Sequence, residues 1–166
     1  MAQSAQFELR LRPAMPADGP VILGLIRELA KYGRKEVTAT EELLRESLFS
    51  SRPAAEVLLA DVNDATIGYA VFFINYSTFA GRAGIYLEDL YVQPALRGQG
   101  IGRKMLAHMA SLAVQRNCDR LIWSVLDWNA PAIRFYEELG AQHVTGWQQY
   151  RLTGPELIRL AKSHSR

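Results

Sequence analysis

The sequence predicts an α/β fold, a mixed sheet carrying helices on its faces. Three observations point there. Some segments alternate apolar and polar residues with the period of two that suits strands, and others repeat apolar residues at helical spacing. The two kinds interleave in the order β, α, α, β, β, β, α, β, α, β, the signature of one α/β layer system. At 166 residues, 49% apolar and 22% charged, the chain is long enough for one domain with a sizeable core.

Each element follows from local chemistry. Phe7, Leu9 and Leu11 alternate along Phe7–Arg12, which reads as a strand. Asp18 is placed to cap a helix from Pro20 to about Tyr32, whose Val21, Ile22, Leu25, Ile26 and Leu29 share one face. Thr38 and Glu41 have capping-box spacing ahead of a short helix with Leu43, Leu44 and Leu48. Glu56–Val62 and Thr66–Tyr76 are rich in β-formers and flank Asn63-Asp64-Ala65, a hairpin signal. Ile85–Val92 is a further strand, closed by Pro94. Gly100–Arg116 is helical, with Ile101, Met105, Met109, Leu112 and Ala113 along one face. Leu121–Val125 reads as a strand, and Pro131–Leu139 as a helix stopped by Gly140. Val144 and Tyr150–Leu152 suggest two short last strands, and Gly154–Ser163 a final helix. No repeat or long linker splits residues 1–166, so one domain is expected, with its core over about 7–152 and a short helix over about 154–163.

Composition removes several functions. Nineteen basic and 17 acidic residues leave a net charge of +2, too balanced for a general nucleic-acid or membrane binder. The longest apolar stretches, such as Tyr69–Ile74, fall far short of a membrane span. Met1–Gln6 is polar and lacks the apolar run of a signal peptide. Cys118 is the only cysteine, which rules out an internal disulfide, and His108, His143 and His164 show no metal spacing. The expectation is a cytoplasmic protein with no metal.

The densest chemical signal is Arg97-Gly98-Gln99-Gly100-Ile101-Gly102-Arg103-Lys104, between a strand and a helix. Glycines let backbone approach a ligand, and a helix start offers unpaired N–H groups at the positive end of its dipole. Such a turn is either a phosphate cradle, assisted by Arg97, Arg103 and Lys104, or a plain connection. The Walker pattern is absent. The spacing Gly98-x-Gly100-x-Gly102 also departs from the dinucleotide fingerprint, and no acidic residue follows where ribose needs one.

Arg97-x-x-Gly100-x-Gly102 resembles the acyl-CoA signature of the GNAT superfamily of N-acetyltransferases. Glu88-Asp89-Leu90-Tyr91-Val92 is similar to that family's central strand, Asn129-Ala130-Pro131-Ala132 to its second cofactor-contacting turn, and Phe135-Tyr136-Glu137-Glu138-Leu139-Gly140-Ala141 to its end motif. The four segments occur in the family's order. Ile26-Arg27-Glu28-Leu29-Ala30-Lys31-Tyr32, Ile85–Val92 and Val125-Leu126-Asp127-Trp128-Asn129 resemble the diamine (spermidine/spermine) and thialysine N-acetyltransferase subfamily most closely. The resemblance implies a single-domain GNAT fold with a mixed, mostly antiparallel sheet flanked by helices on both faces. It implies acetyl-CoA as cosubstrate and a homodimer. Leu90, Tyr91, Val92, Arg97, Gly98, Gln99, Gly100, Ile101, Gly102, Arg103, Asn129, Ala132 and Tyr136 would contact the cofactor, and Tyr32, Glu88 and Trp123 the amine.

Amine acetylation needs a deprotonated amine, a donor for the tetrahedral oxyanion and a proton for the leaving thiolate. A lysine-like ammonium has a pKa of about 10.4, so the first need is real at neutral pH. Strict alternation puts Glu88, Leu90 and Val92 on one face and Leu87, Asp89 and Tyr91 on the other, unless a bulge intervenes. The resemblance selects Glu88 as the base, acting through a water, and a backbone N–H near Leu90 as the oxyanion donor. By themselves Phe135 and Tyr136 read as core-packing aromatics. The resemblance instead makes Tyr136 the acid, with a phenol pKa of about 10 suited to a thiolate. Asn129 is equally suited to capping a helix or bonding the cofactor.

Two acidic positions of polyamine-acetylating members are Gly33 and Thr145 here. That departure points away from spermine and toward a thialysine-like or lysine-like amino acid or a short diamine. Two rival readings stand beside this one: acetylation of a protein N-terminus or lysine, and a catalytically silent acyl-CoA-binding module.

Overall fold

The computed structural model describes residues 8–165. Met1–Gln6 and Phe7, the start of the first expected strand, lie outside the described residues. The elements are β1 (Leu9–Pro13), α1 (Gly19–Gly33), α2 (Glu41–Leu48), β2 (Glu56–Val62), β3 (Ala65–Ser77), β4 (Arg82–Val92), α3 (Ile101–Gln115), β5 (Leu121–Trp123), α4 (Ala130–Glu138) and α5 (Gly154–Lys162). The chain divides after Leu126 into two compact units.

The first unit holds the sheet, ordered β1-β2-β3-β4-β5. Every neighbouring pair is antiparallel except β4 and β5, which run parallel. The β2–β3 turn is tighter than the spacing suggested. Asn63 and Asp64 alone form it, with φ of 48° and 65°, and Ala65 already belongs to β3. Two consecutive left-handed residues make the turn whose twist matches a hairpin, and Asn and Asp tolerate that conformation.

Helices cover both faces of this sheet. On one face Ile22 and Leu25 of α1 pack with Val57, Leu59, Tyr69 and Tyr91, while Leu44 and Leu48 of α2 and Phe49 close the cluster. On the other face Leu58, Ala60, Ala70, Phe72 and Leu87 are buried. There α3 supplies the buried Ile101, Met105, Met109 and Ala113, and its C-cap Arg116 lies over the Phe72 ring. The helical spacing read from the sequence is thus the buried stripe of α1 and α3.

Three local expectations are corrected. Asp18 occupies the α1 N-cap position but makes no side-chain cap. Its carboxylate instead accepts two bonds from Arg12, at 2.8 and 3.0 Å, and one from the Met15 amide. A guanidinium fork outcompetes a single amide for a carboxylate. Thr40, rather than Thr38, caps α2 by accepting from the Leu43 amide. No strand forms at Val144 or Tyr150–Leu152 among the described residues. β-forming side chains there meet no ladder partner, and a strand needs one.

In the second unit, Asn129 caps α4 by accepting from the Ala132 amide at 3.4 Å, as the N-cap reading expected. Gly140, with φ of 88°, follows the helix end, and its amide bonds the Glu137 carbonyl. α5 begins after Thr153 and carries Leu157, Ile158 and Leu160 exposed.

Candidate active site

The site is organised by the last half of β4. Ladder pairing with β3 runs Phe72↔Leu87 and then Val71↔Asp89, so Glu88 is an extra residue. This β-bulge breaks the alternation. Leu87 joins Leu90 and Val92 on the α3 side, opposite Phe72, Ala70 and Gly68, whereas Asp89 and Tyr91 pair with Val71 and Tyr69 on the α1 side. Strict alternation had separated Leu87 from Leu90, and the bulge corrects it. Glu88 itself is exposed.

Strand β5 accompanies β4 only through Ile85↔Leu121, Tyr86↔Ile122 and Leu87↔Trp123. From Glu88 to Val92, β4 has no ladder partner on that side among the described residues. The result is an open backbone edge beginning beside Glu88. Trp123 stands at the point where the two strands part. Leu126 also borders the C-terminal end of α1: its Cδ1 lies 3.8 Å from where a Gly33 Cβ would sit. Tyr32, 41% exposed, is the residue before Gly33.

β4 leads directly into the glycine loop. A 3-10 turn over Pro94–Leu96 is followed by Arg97, then Gly98 and Gly100 with φ of 76° and 78°. Gly100 is the N-cap of α3 and no side chain caps it. The N–H groups of Ile101, Gly102 and Arg103 therefore lack intrahelical acceptors. An added Cβ at Gly98 or Gly100 would meet nothing within 4 Å, so the left-handed backbone alone demands glycine, and the loop is open to a ligand. Gln99, Arg103 and Lys104 are exposed around it. These features fit a diphosphate: free amides, a positive helix end and basic side chains.

The chemistry of β4 differs from side to side. Asp89 accepts a bond from the fully buried Tyr69 hydroxyl at 3.0 Å. Burial raises the Asp89 pKa, against the opposing effect of that hydrogen bond, and burial also raises Tyr69. Tyr91 donates to Glu28 at 3.0 Å, and Gln93 Nε2 donates to the same carboxylate. Burial, then the Glu28 contact, raises the Tyr91 pKa. From sequence, Tyr91 is expected to serve only through its backbone, and Glu28 and Gln93 carry no expected role. The spacing of Glu28 and Tyr32, four residues apart on one helix, was the available signal.

Arg97 also behaves differently from a simple phosphate ligand. Its Nε donates to the Val92 carbonyl at 2.9 Å, and its guanidinium carbon lies 5.6 Å from the Tyr32 ring centroid and 5.5 Å from that of Tyr91. The first unit thus brings together Tyr32, Glu88, Leu90–Val92, Arg97–Arg103 and Trp123. Tyr136, Asn129 and Ala132 belong to the second unit. There the half-buried Tyr136 ring lies 5.4 Å from Phe135, and burial raises its pKa. Among the described residues no group of three or more His, Cys, Asp or Glu could hold a metal ion, and no helix is long and apolar enough to cross a membrane.

Residues 24–141 match the acetyltransferase (GNAT) family. The chain belongs to that family. It is an acetyltransferase that acts on an amine, and enzymes of this family draw the acetyl group from acetyl-CoA. The sequence is similar to thialysine N-epsilon-acetyltransferase of Bos taurus, 40% identical over 91% of this chain and 96% of the relative. It is also similar to an L-ornithine N5-acetyltransferase of Arabidopsis thaliana, 32% identical over 92% of this chain and 88% of that one. Among solved structures, an integron cassette protein from the V. cholerae mobile metagenome superposes with a TM-score of 0.79 at 29% identity, covering 93% of this chain and 98% of its own. This acetyltransferase also shares its fold with an aminoglycoside N-acetyltransferase in complex with CoA, at a TM-score of 0.73 and 16% identity, over 91% and 99% of the two chains.

Proposed function

We propose that this protein is a single acetyltransferase domain that transfers acetyl from acetyl-CoA to the primary amine of a small molecule. A thialysine-like or lysine-like amino acid or a short diamine is the favoured acceptor. The observation that carries the reading is the open β4 edge, which starts at the Glu88 bulge and runs into the uncapped N-terminus of α3. An extended amide-bearing arm can pair with Leu90–Val92 as a strand would, while its diphosphate meets the amides after Gly100.

In this reading acetyl-CoA and amine are present together. Glu88, exposed at the bulge, attracts the ammonium and takes its proton through a water. The amine nitrogen then attacks the acetyl carbonyl carbon, forming the C–N bond. A backbone N–H near Leu90 stabilises the oxyanion, a fixed donor suited to charge that forms only in the transition state. The C–S bond breaks, Tyr136 protonates the thiolate, and the second proton shed by the new amide nitrogen restores the phenol by way of solvent. A phenol arrives protonated at neutral pH, as the acid must, and the burial that raises the Tyr136 pKa keeps it so. Tyr32 and Trp123 flank the amine. Acceptor choice rests on Gly33 and Thr145, where the resemblance to polyamine-acetylating members leads one to expect acids, and on the similarity to thialysine and ornithine acetyltransferases.

We also propose a cytoplasmic homodimer. Tyr76 and Phe79 near the end of β3 are 65% and 91% exposed, and Trp147 and Tyr150 in the second unit are 76% and 87% exposed, an aromatic bias typical of interfaces. Light scattering at micromolar concentration reads the assembly. The decisive experiment compares kcat/KM for thialysine, lysine, ornithine, putrescine, spermidine and spermine at fixed pH and salt. Two missing carboxylates at about 1 kcal/mol each correspond to roughly an order of magnitude or more against the long polycations. Spermidine or spermine leading by tenfold would overturn the acceptor assignment.

A further inference from the structure

We infer that Arg97 is a positioning residue that ties the acceptor-side helix α1 to the cofactor loop, so that CoA affinity depends on the aromatic ring of Tyr32. The inference rests on the reading of the Gly98–Gly102 turn as the diphosphate site.

A side chain recruited only for its charge at a phosphate would leave its neighbours alone. Arg97 instead spends Nε on the carbonyl of Val92, at the end of β4, at 2.9 Å. The guanidinium then lies near two rings, 5.5 Å from the Tyr91 centroid and 5.6 Å from the Tyr32 centroid. Tyr91 is itself held from behind, since its hydroxyl donates to Glu28 at 3.0 Å. Glu28 also accepts from Gln93 Nε2, at 3.3 and 3.4 Å. Glu28 and Tyr32 are four residues apart on α1 and so share one helical face. The contacts therefore close a ring: α1 from Glu28 to Tyr32, Tyr32 to Arg97, Arg97 to Tyr91, and Tyr91 back to Glu28.

The ring has a mechanical consequence. Arg97 immediately precedes Gly98, and Gly98 and Gly100 hold left-handed conformations that a side chain resists, with no atom within 4 Å of an added Cβ at either. The amides at the start of α3 are aimed by whatever holds the loop's first residue. Arg97 anchors that residue to β4 and α1 together. A planar guanidinium can donate from Nε and face an aromatic ring at once, whereas an ammonium is a point charge without that geometry.

The test is CoA binding by calorimetry to the full chain and to four variants, with melting temperature as the control for folding. Tyr32 is 41% exposed, and wild-type-like melting temperatures are expected for Tyr32→Leu and Tyr32→Phe. Arg97→Lys and Tyr32→Leu are each expected to weaken CoA binding about five- to tenfold, in keeping with loss of a cation–π contact and the order it imposes. The double variant Arg97→Lys/Tyr32→Leu is expected to be no more than about twofold worse than the weaker single, because both changes break one ring. Tyr32→Phe keeps the ring and is expected to bind CoA as the wild type does. Wild-type affinity in Arg97→Lys would show that charge alone suffices and would overturn the inference. So would losses that multiply in the double variant, or Tyr32→Phe binding as poorly as Tyr32→Leu. A wild-type protein that binds no CoA removes the cofactor reading and this inference with it, whereas wild-type binding with an unaffected Tyr32→Leu removes the inference alone.

Discussion

Replacing Gly68 with alanine presses a methyl group against the backbone that the proposed cofactor arm would use. Gly68 sits on β3 opposite Val92. A Cβ built there lies 2.6 Å from the Tyr91 carbonyl oxygen, 3.4 Å from Val92 Cα and 3.5 Å from Val92 Cγ2. Ordinary contact begins at 3.4 Å, so β4 must move by about 0.8 Å or β3 must twist away. The first contact is backbone and cannot rotate aside. From Glu88 to Val92 the far edge of β4 has no strand against it among the described residues, so displacement goes toward the open side at Leu90–Val92. Overpacking of this kind costs about 1–3 kcal/mol. For a chain of this size that lowers the melting temperature by roughly 2–12 °C. A shift approaching 1 Å in a positioning strand should lower kcat/KM for acetyl-CoA by about 10- to 100-fold. The assay pairs thermal melting with initial rates at varied acetyl-CoA and saturating amine. Gly24→Ala is the control: it lies within α1, an added Cβ meets nothing within 4 Å, and helix propensity favours it by about 0.5–1 kcal/mol. If Gly68→Ala melts and turns over as the wild type does, the close approach of β3 to Tyr91 does not set the β4 edge.

Three further outcomes are expected. Tyr136→Phe keeps the ring and loses the proton, so turnover should fall by roughly 10²–10⁴-fold while CoA affinity measured by calorimetry changes far less; wild-type turnover would make Tyr136 structural. Gly100→Val forces a β-branched residue into a φ of 78° at the helix start and should weaken CoA binding strongly in a folded protein; unchanged calorimetric affinity would remove the diphosphate from that turn. Acid should destabilise the sheet edge. Arg12 lowers the pKa of Asp18, and for Asp61 the bonds from Thr66, Arg12 and Arg10 outweigh the opposing cost of burial. Carboxylates depressed on folding contribute stability that is present above their unfolded pKa, about 3.9, and lost as pH falls through the folded value. Melting curves from pH 7 down to pH 3 should therefore drop at the acid end, and Asp61→Asn should be less stable at pH 7 with a shallower drop; parallel curves would show that Asp61 carries none of the acid sensitivity.

Although the two last strands expected at Val144 and Tyr150–Leu152 do not form among the described residues, the order of elements from β1 to α4, the buried stripes of α1 and α3, the β2–β3 hairpin, the Asn129 cap and the glycine turn are legible in the sequence. Their causes are local. Periodicity two or 3.6 decides which side chains share a face, and a glycine or asparagine at a turn answers to its own φ. Tertiary structure decided the rest, because each remaining feature depends on a partner distant in the chain. The bulge at Glu88 exists only as a mismatch with Val71 and Phe72, and it returns Leu87 to the face of Leu90. Asp18 gives up its cap because Arg12 arrives on β1 with a better donor pair. Arg97 reads as a phosphate cation from its neighbours in sequence, yet Tyr32 lies 65 positions earlier and still meets it. Val144 and Tyr150–Leu152 have the side chains of strands without a ladder partner among the described residues. Local composition can make a segment ready for a conformation, but hydrogen-bond ladders, ion pairs and ring contacts are satisfied only by whatever the fold brings alongside.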